Sequence, residues 1–350
     1  MFNLSRGPIR FAATLAVCFT ATCLFAVAGA SEQKAPAGTL TRITVHGASL
    51  EGNLAGDSPD RTVFVYLPPS YSTAKHRRYP VMYMLHGYSI SAEYLVKALK
   101  VPESIDSAIA SGNAREMIVV FPDAQNAHNG SMYSSSVTIG DWDGYIANDL
   151  VAYIDEHYRT IAQREARGLA GHSMGGYGTM RIGMKRPDVF SILYSMSACC
   201  LSPRGASPSD AALESIKTLQ EAQAIPRDPR TTFAASAAWA PNPQNPPLYL
   251  DWPTKGGKPD PSVLARFAAN APNAMLPQYV ANLRRYRAIQ LDVGLQDTLL
   301  NDNEELDRLL TQFNLPHTYE TYEGDHVNRV AERFQQHVLP FFAEHLKIRR

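Results

Sequence analysis

The chain carries no excess of either charge: 33 Lys and Arg stand against 33 Asp and Glu. A nucleic-acid binder would gather a basic surplus on one face, so that class is excluded. Low-complexity tracts and internal repeats are missing too. With 45% hydrophobic and 19% charged residues, the composition excludes a disordered chain. Cysteine is scarce, four in 350 residues, which excludes a disulfide-built scaffold. Nothing in the composition implies a cofactor.

Acidic residues are absent before Glu32, whereas Arg6 and Arg10 precede an uncharged stretch from Phe11 to Ala30. Ala28-Gly29-Ala30 then gives the small-x-small pattern of a signal-peptidase site, followed by polar Ser31, Glu32 and Gln33. Residues 1–30 read as a secretory signal peptide, although the apolar run is long enough to raise a retained anchor as the rival. A lipoprotein anchor at Cys18 or Cys23 would need a better-matched lipobox. Residues 31–350 read as one domain, with no further run of membrane-spanning length. The expected product is exported, periplasmic or extracellular. It keeps only Cys199 and Cys200, which could close a strained vicinal disulfide or, more blandly, pack as two small residues at a strand end.

Strands are expected at 39–47, 61–67, 79–85, 117–121, 191–198, 288–293 and 318–322, from β-branched alternation or continuous apolar runs. Helical spacing marks 144–158, 174–185 and 328–348. Strand and helix alternate, so the fold class is α/β, a mostly parallel central sheet with helices on both faces. Nine prolines between Pro226 and Pro261 forbid a central strand there. Residues 200–285 are read as a cap-like excursion over the sheet edge, with short helices near 210–224 and 261–286.

Gly171-His172-Ser173-Met174-Gly175-Gly176 carries the pattern G-x-S-x-G, weak alone but placed here between an apolar strand and a helical pattern. Such a serine sits on a tight, strained turn, where a Cβ on either neighbouring glycine would strike the adjoining strand or helix. The helix N-terminus beneath the hydroxyl favours the negative charge that develops in acyl transfer. Ser173 is therefore the candidate nucleophile, and its hydroxyl needs a base and an orienting carboxylate.

Of ten histidines, only His317, His326, His337 and His345 follow Ser173. His317 begins a strand and the last two fall in the closing helix, leaving His326, in the turn after a strand, as the base. Asp297 follows a strand at Gly294-Leu295-Gln296 and is favoured as the acid. Asp302, which reads as a helix cap, and Asp292, inside a strand, are its rivals. Asp325 adjoins the histidine but would point elsewhere. Two backbone N–H groups, of Met174 and of Tyr88 after His86-Gly87, are expected to form an oxyanion hole.

Together Arg61 to Gly87, Gly171 to Gly176, Asp297 and Gly324 to His326 resemble the esterase D family of the α/β-hydrolases. Feruloyl esterases, S-formylglutathione hydrolases, enterochelin esterases and mycolyltransferase antigens are among its members. The resemblance covers about 40–200 and 287–348, and implies Ser173, Asp297 and His326 as a triad with Tyr88 and Met174 as oxyanion donors. It departs from many relatives after the histidine, where Val327, Asn328 and Arg329 replace an aromatic residue.

Tyr88, Tyr133, Trp142, Trp239 and Trp252 are candidates to line an apolar acyl or aryl pocket, with core packing the alternative for each. Trp142, between Asp141 and Asp143, is expected to be partly exposed. The two carboxylates read as helix N-terminal charges rather than a metal site, so no metal is expected. The expected partner is a small-molecule ester, and the expected activity is a serine carboxylic-ester hydrolase. An acyltransferase of the mycolyltransferase type and a non-catalytic binding scaffold are the alternatives.

Overall fold

Among the described residues, eight strands form one sheet: β1 (Thr39–His46), β2 (Asp60–Leu67), β3 (Val81–Leu85), β4 (Ile118–Pro122), β5 (Arg167–His172), β6 (Ile192–Met196), β7 (Ala288–Gly294) and β8 (Thr318–Tyr322). Their order across it is β1-β2-β4-β3-β5-β6-β7-β8. The computed structural model describes residues 7–8 and 37–348. Apart from residues 7 and 8, the expected signal peptide lies outside the described residues, as do Cys18 and Cys23. From β4 to β8 every neighbouring pair is parallel, while β1 and β2 add an antiparallel edge.

The continuous apolar run of β3 follows from burial on both faces. Val81, Tyr83 and Leu85 join one apolar cluster, with the Met174–Lys185 helix, while Met82 and Met84 join the other, with Phe334, Leu339 and Phe342. A Cβ on Gly168 of β5 would run into the Phe342 ring, so the strand needs a glycine where the closing helix approaches.

The excursion is more helical than its prolines suggest. It holds helices at Pro208–Leu213, Leu219–Ala224, Arg227–Trp239, Pro261–Ala269 and Pro272–Leu283. The short helices expected near 210–224 and 261–286 are present, two in each stretch, and the 227–239 helix was not expected. Its prolines fall at the N-cap, Pro226, and in the first turn, Pro229, where a missing N–H costs nothing. Trp239 Nε1–H donates to Ser134 Oγ at 3.0 Å, and Ser136 Oγ donates to Ala237 O at 2.7 Å, tying this helix to the 131–141 loop. Asp302 stands in the first turn of the Leu300–Gln312 helix, not at its cap, which is Leu299.

One buried ionic cluster fastens the closing helix to the sheet. Arg333 Nε donates to Asp292 Oδ2 at 2.9 Å, and its two Nη groups reach both oxygens of Glu320 at 3.0 and 2.7 Å. Tyr194 Oη donates to the same Asp292 oxygen at 2.8 Å. Burial pushes the Asp292 carboxyl up to about 6 against the pull of Arg333. Removing one partner from such a cluster strands a buried charge. Arg333→Met is expected to lower unfolding free energy by about 3–5 kcal/mol in urea titration, with part regained in Asp292→Asn/Arg333→Met. An unchanged urea midpoint in the single variant would refute this.

Candidate active site

The C-terminal ends of β5, β7 and β8 lie at one level, because His172 pairs with Met196, Met196 with Asp292, and Gly294 with Tyr322. Loops leaving these ends carry Ser173, Asp297 and His326 to one place. Ser173 sits between β5 and the Met174–Lys185 helix at φ 59°, a left-handed conformation strained for a residue with a Cβ. A Cβ on Gly171 would strike the Gly175 backbone, and one on Gly175 would strike Leu85 O. Both glycines of the motif are therefore required by close approach. Ser173 N–H donates to Met196 O at 3.0 Å, holding the bend against β6.

His326 Nε2 lies 2.9 Å from Ser173 Oγ, and its Nδ1 lies 2.8 Å from Asp297 Oδ2. With the ring neutral, Nδ1–H donates to the carboxylate and Nε2 accepts from the serine hydroxyl. Asp297 Oδ1 accepts the Leu299 N–H at 2.9 Å. Burial raises the Asp297 carboxyl, but the bonds from His326 and Leu299 outweigh it and hold it below its ordinary value. The rival acids are engaged elsewhere: Asp292 on Arg333 and Tyr194, and Asp325 on the Val327 and Asn328 N–H groups.

Two ring contacts went unforeseen, since nothing in a linear sequence pairs a histidine with a carbonyl 154 residues away. His172 Nε2–H donates to His326 O at 2.7 Å, and the two rings sit 4.8 Å apart. His86, fully buried, accepts the Ala124 N–H on Nε2 at 2.8 Å, so its Nδ1–H donates to Gly87 O at 2.8 Å. A trans peptide points its N–H opposite to its C=O. By fixing the Gly87 carbonyl, the His86 ring also fixes the direction of the Tyr88 N–H.

Ser173 and His326 line a cavity of about 570 Å³ together with Tyr88, Met132, Trp239 and Phe267. Of the five aromatic candidates, Tyr88 and Trp239 line it. Trp142 is fully buried, edge-on to Tyr145, under the Arg61 guanidinium, and donates to Ile139 O. The expectation of partial exposure is corrected: the flanking charges turn away, Asp141 capping Gly144 N–H and Asp143 pairing with Arg181 and Lys185. Tyr133 is fully buried beneath the site, its Oη donating to His86 O at 3.1 Å. Trp252 packs on Phe233 outside the cavity lining. Cys199 and Cys200, just past the end of β6, pack against the apolar core as strand-end residues and also border the cavity. Among the described residues no His, Cys, Asp and Glu cluster could hold a metal ion.

Burial pushes His172 down to about 4, with the charge of His326 adding to the effect, and pushes His128 down to about 4. The unfolded chain protonates these histidines near 6.5 while the folded one resists, so stability drops as pH falls from 6.5 toward 4. Each contributes a loss on the order of 2–3 kcal/mol by pH 4.5. Asp292, raised to about 6, works in the opposite sense by one proton. Urea midpoints are expected to fall between pH 7 and 4.5, and His172→Gln to flatten that fall by about one proton's worth. An equal slope in the variant would contradict this account.

A family model described as "Putative esterase" matches residues 58–345. An endo-1,4-beta-xylanase/feruloyl esterase of Xylanibacter ruminicola is 32% identical over 135 residues, 37% of this chain and 18% of that protein. An S-formylglutathione hydrolase of Paracoccus denitrificans is 28% identical over 149 residues, 36% of this chain and 48% of that protein. The chain thus spans less than half the length of either curated relative. A solved ferulic acid esterase superposes with TM-score 0.65 at 23% identity, over 88% of this chain and 98% of that one. An S-formylglutathione hydrolase from Agrobacterium tumefaciens does so with TM-score 0.58 at 18% identity, over 89% and 97%. Both likenesses place the fold among the α/β-hydrolases, as the strand order does. With the family model spanning 58–345, the chain belongs to the "Putative esterase" family.

Proposed function

We propose that this protein is an exported serine carboxylic-ester hydrolase that works through an acyl-enzyme, on an ester whose acyl part is apolar or aromatic. The observation that carries the reading is the unbroken Asp297–His326–Ser173 chain of 2.8 and 2.9 Å contacts at the wall of a cavity. His326 Nε2 takes the Ser173 proton as Oγ attacks the ester carbonyl, and Asp297 holds the resulting imidazolium. The carbonyl oxygen, now an oxyanion, is received by the Met174 N–H at the helix start and by the Tyr88 N–H that His86 aims. His326 then protonates the departing alcohol, and water, activated by the same ring, releases the acid.

Substrate breadth rests on the cavity wall. Tyr88, Met132, Trp239 and Phe267 offer an apolar face for an acyl or aryl group, and residues 200–285 act as a lid that supplies two of the four. Export rests on residues 1–30, the family on residues 58–345.

The test is turnover of a p-nitrophenyl ester series and methyl ferulate, with an alkyl fluorophosphonate as a covalent probe. We expect ester hydrolysis and phosphonylation of the peptide containing Ser173. Acyl transfer to an added alcohol in preference to water would convert the reading to an acyltransferase. A folded protein that neither turns over any ester nor takes up the phosphonate would reduce it to a binding scaffold.

A further inference from the structure

The cavity wall holds a second pair of nucleophiles, with no part in the triad. Cys199 and Cys200 are adjacent in sequence, partly exposed, and both border the cavity that Ser173 lines. Both are free thiols, and their Sγ atoms stand 2.8 Å apart, closer than two non-bonded sulfurs normally approach. Cys200 holds φ at 59°, which swings its side chain back alongside that of its neighbour. The Cys199 N–H donates to Ser173 O at 3.2 Å, so the pair is anchored directly to the serine turn.

We propose that Cys199 and Cys200 are a redox-modification site that closes to a vicinal disulfide by exchange with an external disulfide. The sulfurs need only draw in from 2.8 Å to the covalent distance of about 2.05 Å. The Cys199 thiol is pushed well above its ordinary range, first by its contact with the Cys200 sulfur and then by burial; Cys199 is also the one anchored to the serine turn, and the opening attack is assigned to Cys200. The Cys200 thiolate attacks one sulfur of the external disulfide and expels its other half as a thiolate. Cys199 then attacks the Cys200 sulfur of the mixed disulfide and expels the second half. The protein loses two electrons and two protons, and the external disulfide gains them as two thiols. Neighbouring Cα atoms lie about 3.8 Å apart, short of the usual disulfide span, so the bond is strained and easily reduced again. An oxidising compartment outside the cytoplasm, as proposed above, supplies disulfides of this class.

The experiment treats the full chain with glutathione disulfide, alkylates it with iodoacetamide under denaturing conditions and maps the tryptic peptide ending at Arg204. That peptide contains Cys199 and Cys200 and neither Cys18 nor Cys23. Reduced protein is expected to take up two alkyl groups there. Treated protein is expected to take up none, carry no glutathione, weigh two hydrogens less, and recover both thiols in dithiothreitol. Cys199→Ser, lacking the resolving thiol, is expected to keep a glutathione adduct on Cys200. Two alkylated cysteines after treatment, or a lasting glutathione adduct on the unaltered chain, would overturn the proposal. The readout is chemical, so it stands or falls apart from esterase activity.

Discussion

Ser173→Ala is expected to cut kcat for a p-nitrophenyl ester at least about a thousandfold while leaving KM within a small factor. The reason lies in what the substitution leaves intact. The cavity walls, the Met174 and Tyr88 N–H groups and the Asp297–His326 pair all stay in place, so ground-state binding is little changed. Only the oxygen proposed to form the acyl-enzyme is gone, and with it the proposed route through a covalent intermediate. A residual rate above that of water is expected from the oxyanion donors alone. Alanine retains the Cβ already accommodated at φ 59°, so the turn should fold as before and far-ultraviolet circular dichroism should be unchanged. Steady-state kinetics decide the matter: equal rates in the two proteins would remove Ser173 from the chemistry.

The residues that could be read from the sequence are those whose role is announced by local pattern. β3, β4 and β6 stand out because strands buried on both faces must be continuously apolar, and Val81–Leu85 and Ile118–Pro122 are buried throughout. The serine turn is legible because close approach forces glycine at 171 and 175, which the sequence displays directly. Chain order then leaves one histidine in a post-strand loop, and His326 meets Ser173 across 153 residues. What was hidden depends on contacts without periodicity. Trp142 looked exposed beside two aspartates, yet Arg181, Lys185 and Arg61, all remote in sequence, draw its surroundings inward. Of the cavity lining drawn from 200–285, Trp239 was legible as a large aromatic in a proline-rich stretch, whereas Phe267 was not, because prolines signal only where strands cannot be. The 227–239 helix escaped notice because its prolines sit in the one turn that tolerates them. His86 and His172 act through ring-to-carbonyl bonds that leave no mark on spacing.

The choice among the acids yields the second large effect. Asp297, Asp302 and Asp325 all lie within reach in sequence, and Asp302 also borders the cavity. Only Asp297 bonds the His326 ring, at 2.8 Å, with its own carboxylate fully shielded from solvent. Asp297→Asn keeps shape and volume but presents an amide to Nδ1. If the amide N–H₂ faces the ring, Nδ1 must become the acceptor and the proton moves to Nε2, the atom that should take the serine proton. If the amide oxygen faces it, the tautomer survives but the imidazolium loses its counter-charge. Either way the base is compromised, and kcat is expected to fall about a thousandfold to ten-thousandfold with KM little altered. Asp302→Asn and Asp325→Asn are expected to stay within about threefold of the unaltered protein, since neither carboxylate is hydrogen-bonded to the His326 ring. The pH profile sharpens the comparison: at high pH, hydroxide can substitute in part for a misdirected base, so Asp297→Asn should regain activity above the range where the unaltered protein has levelled off. If Asp302→Asn proved the crippling change and Asp297→Asn the mild one, the His326–Asp297 bond would be a structural strut and the orienting role would pass to the acid that borders the cavity.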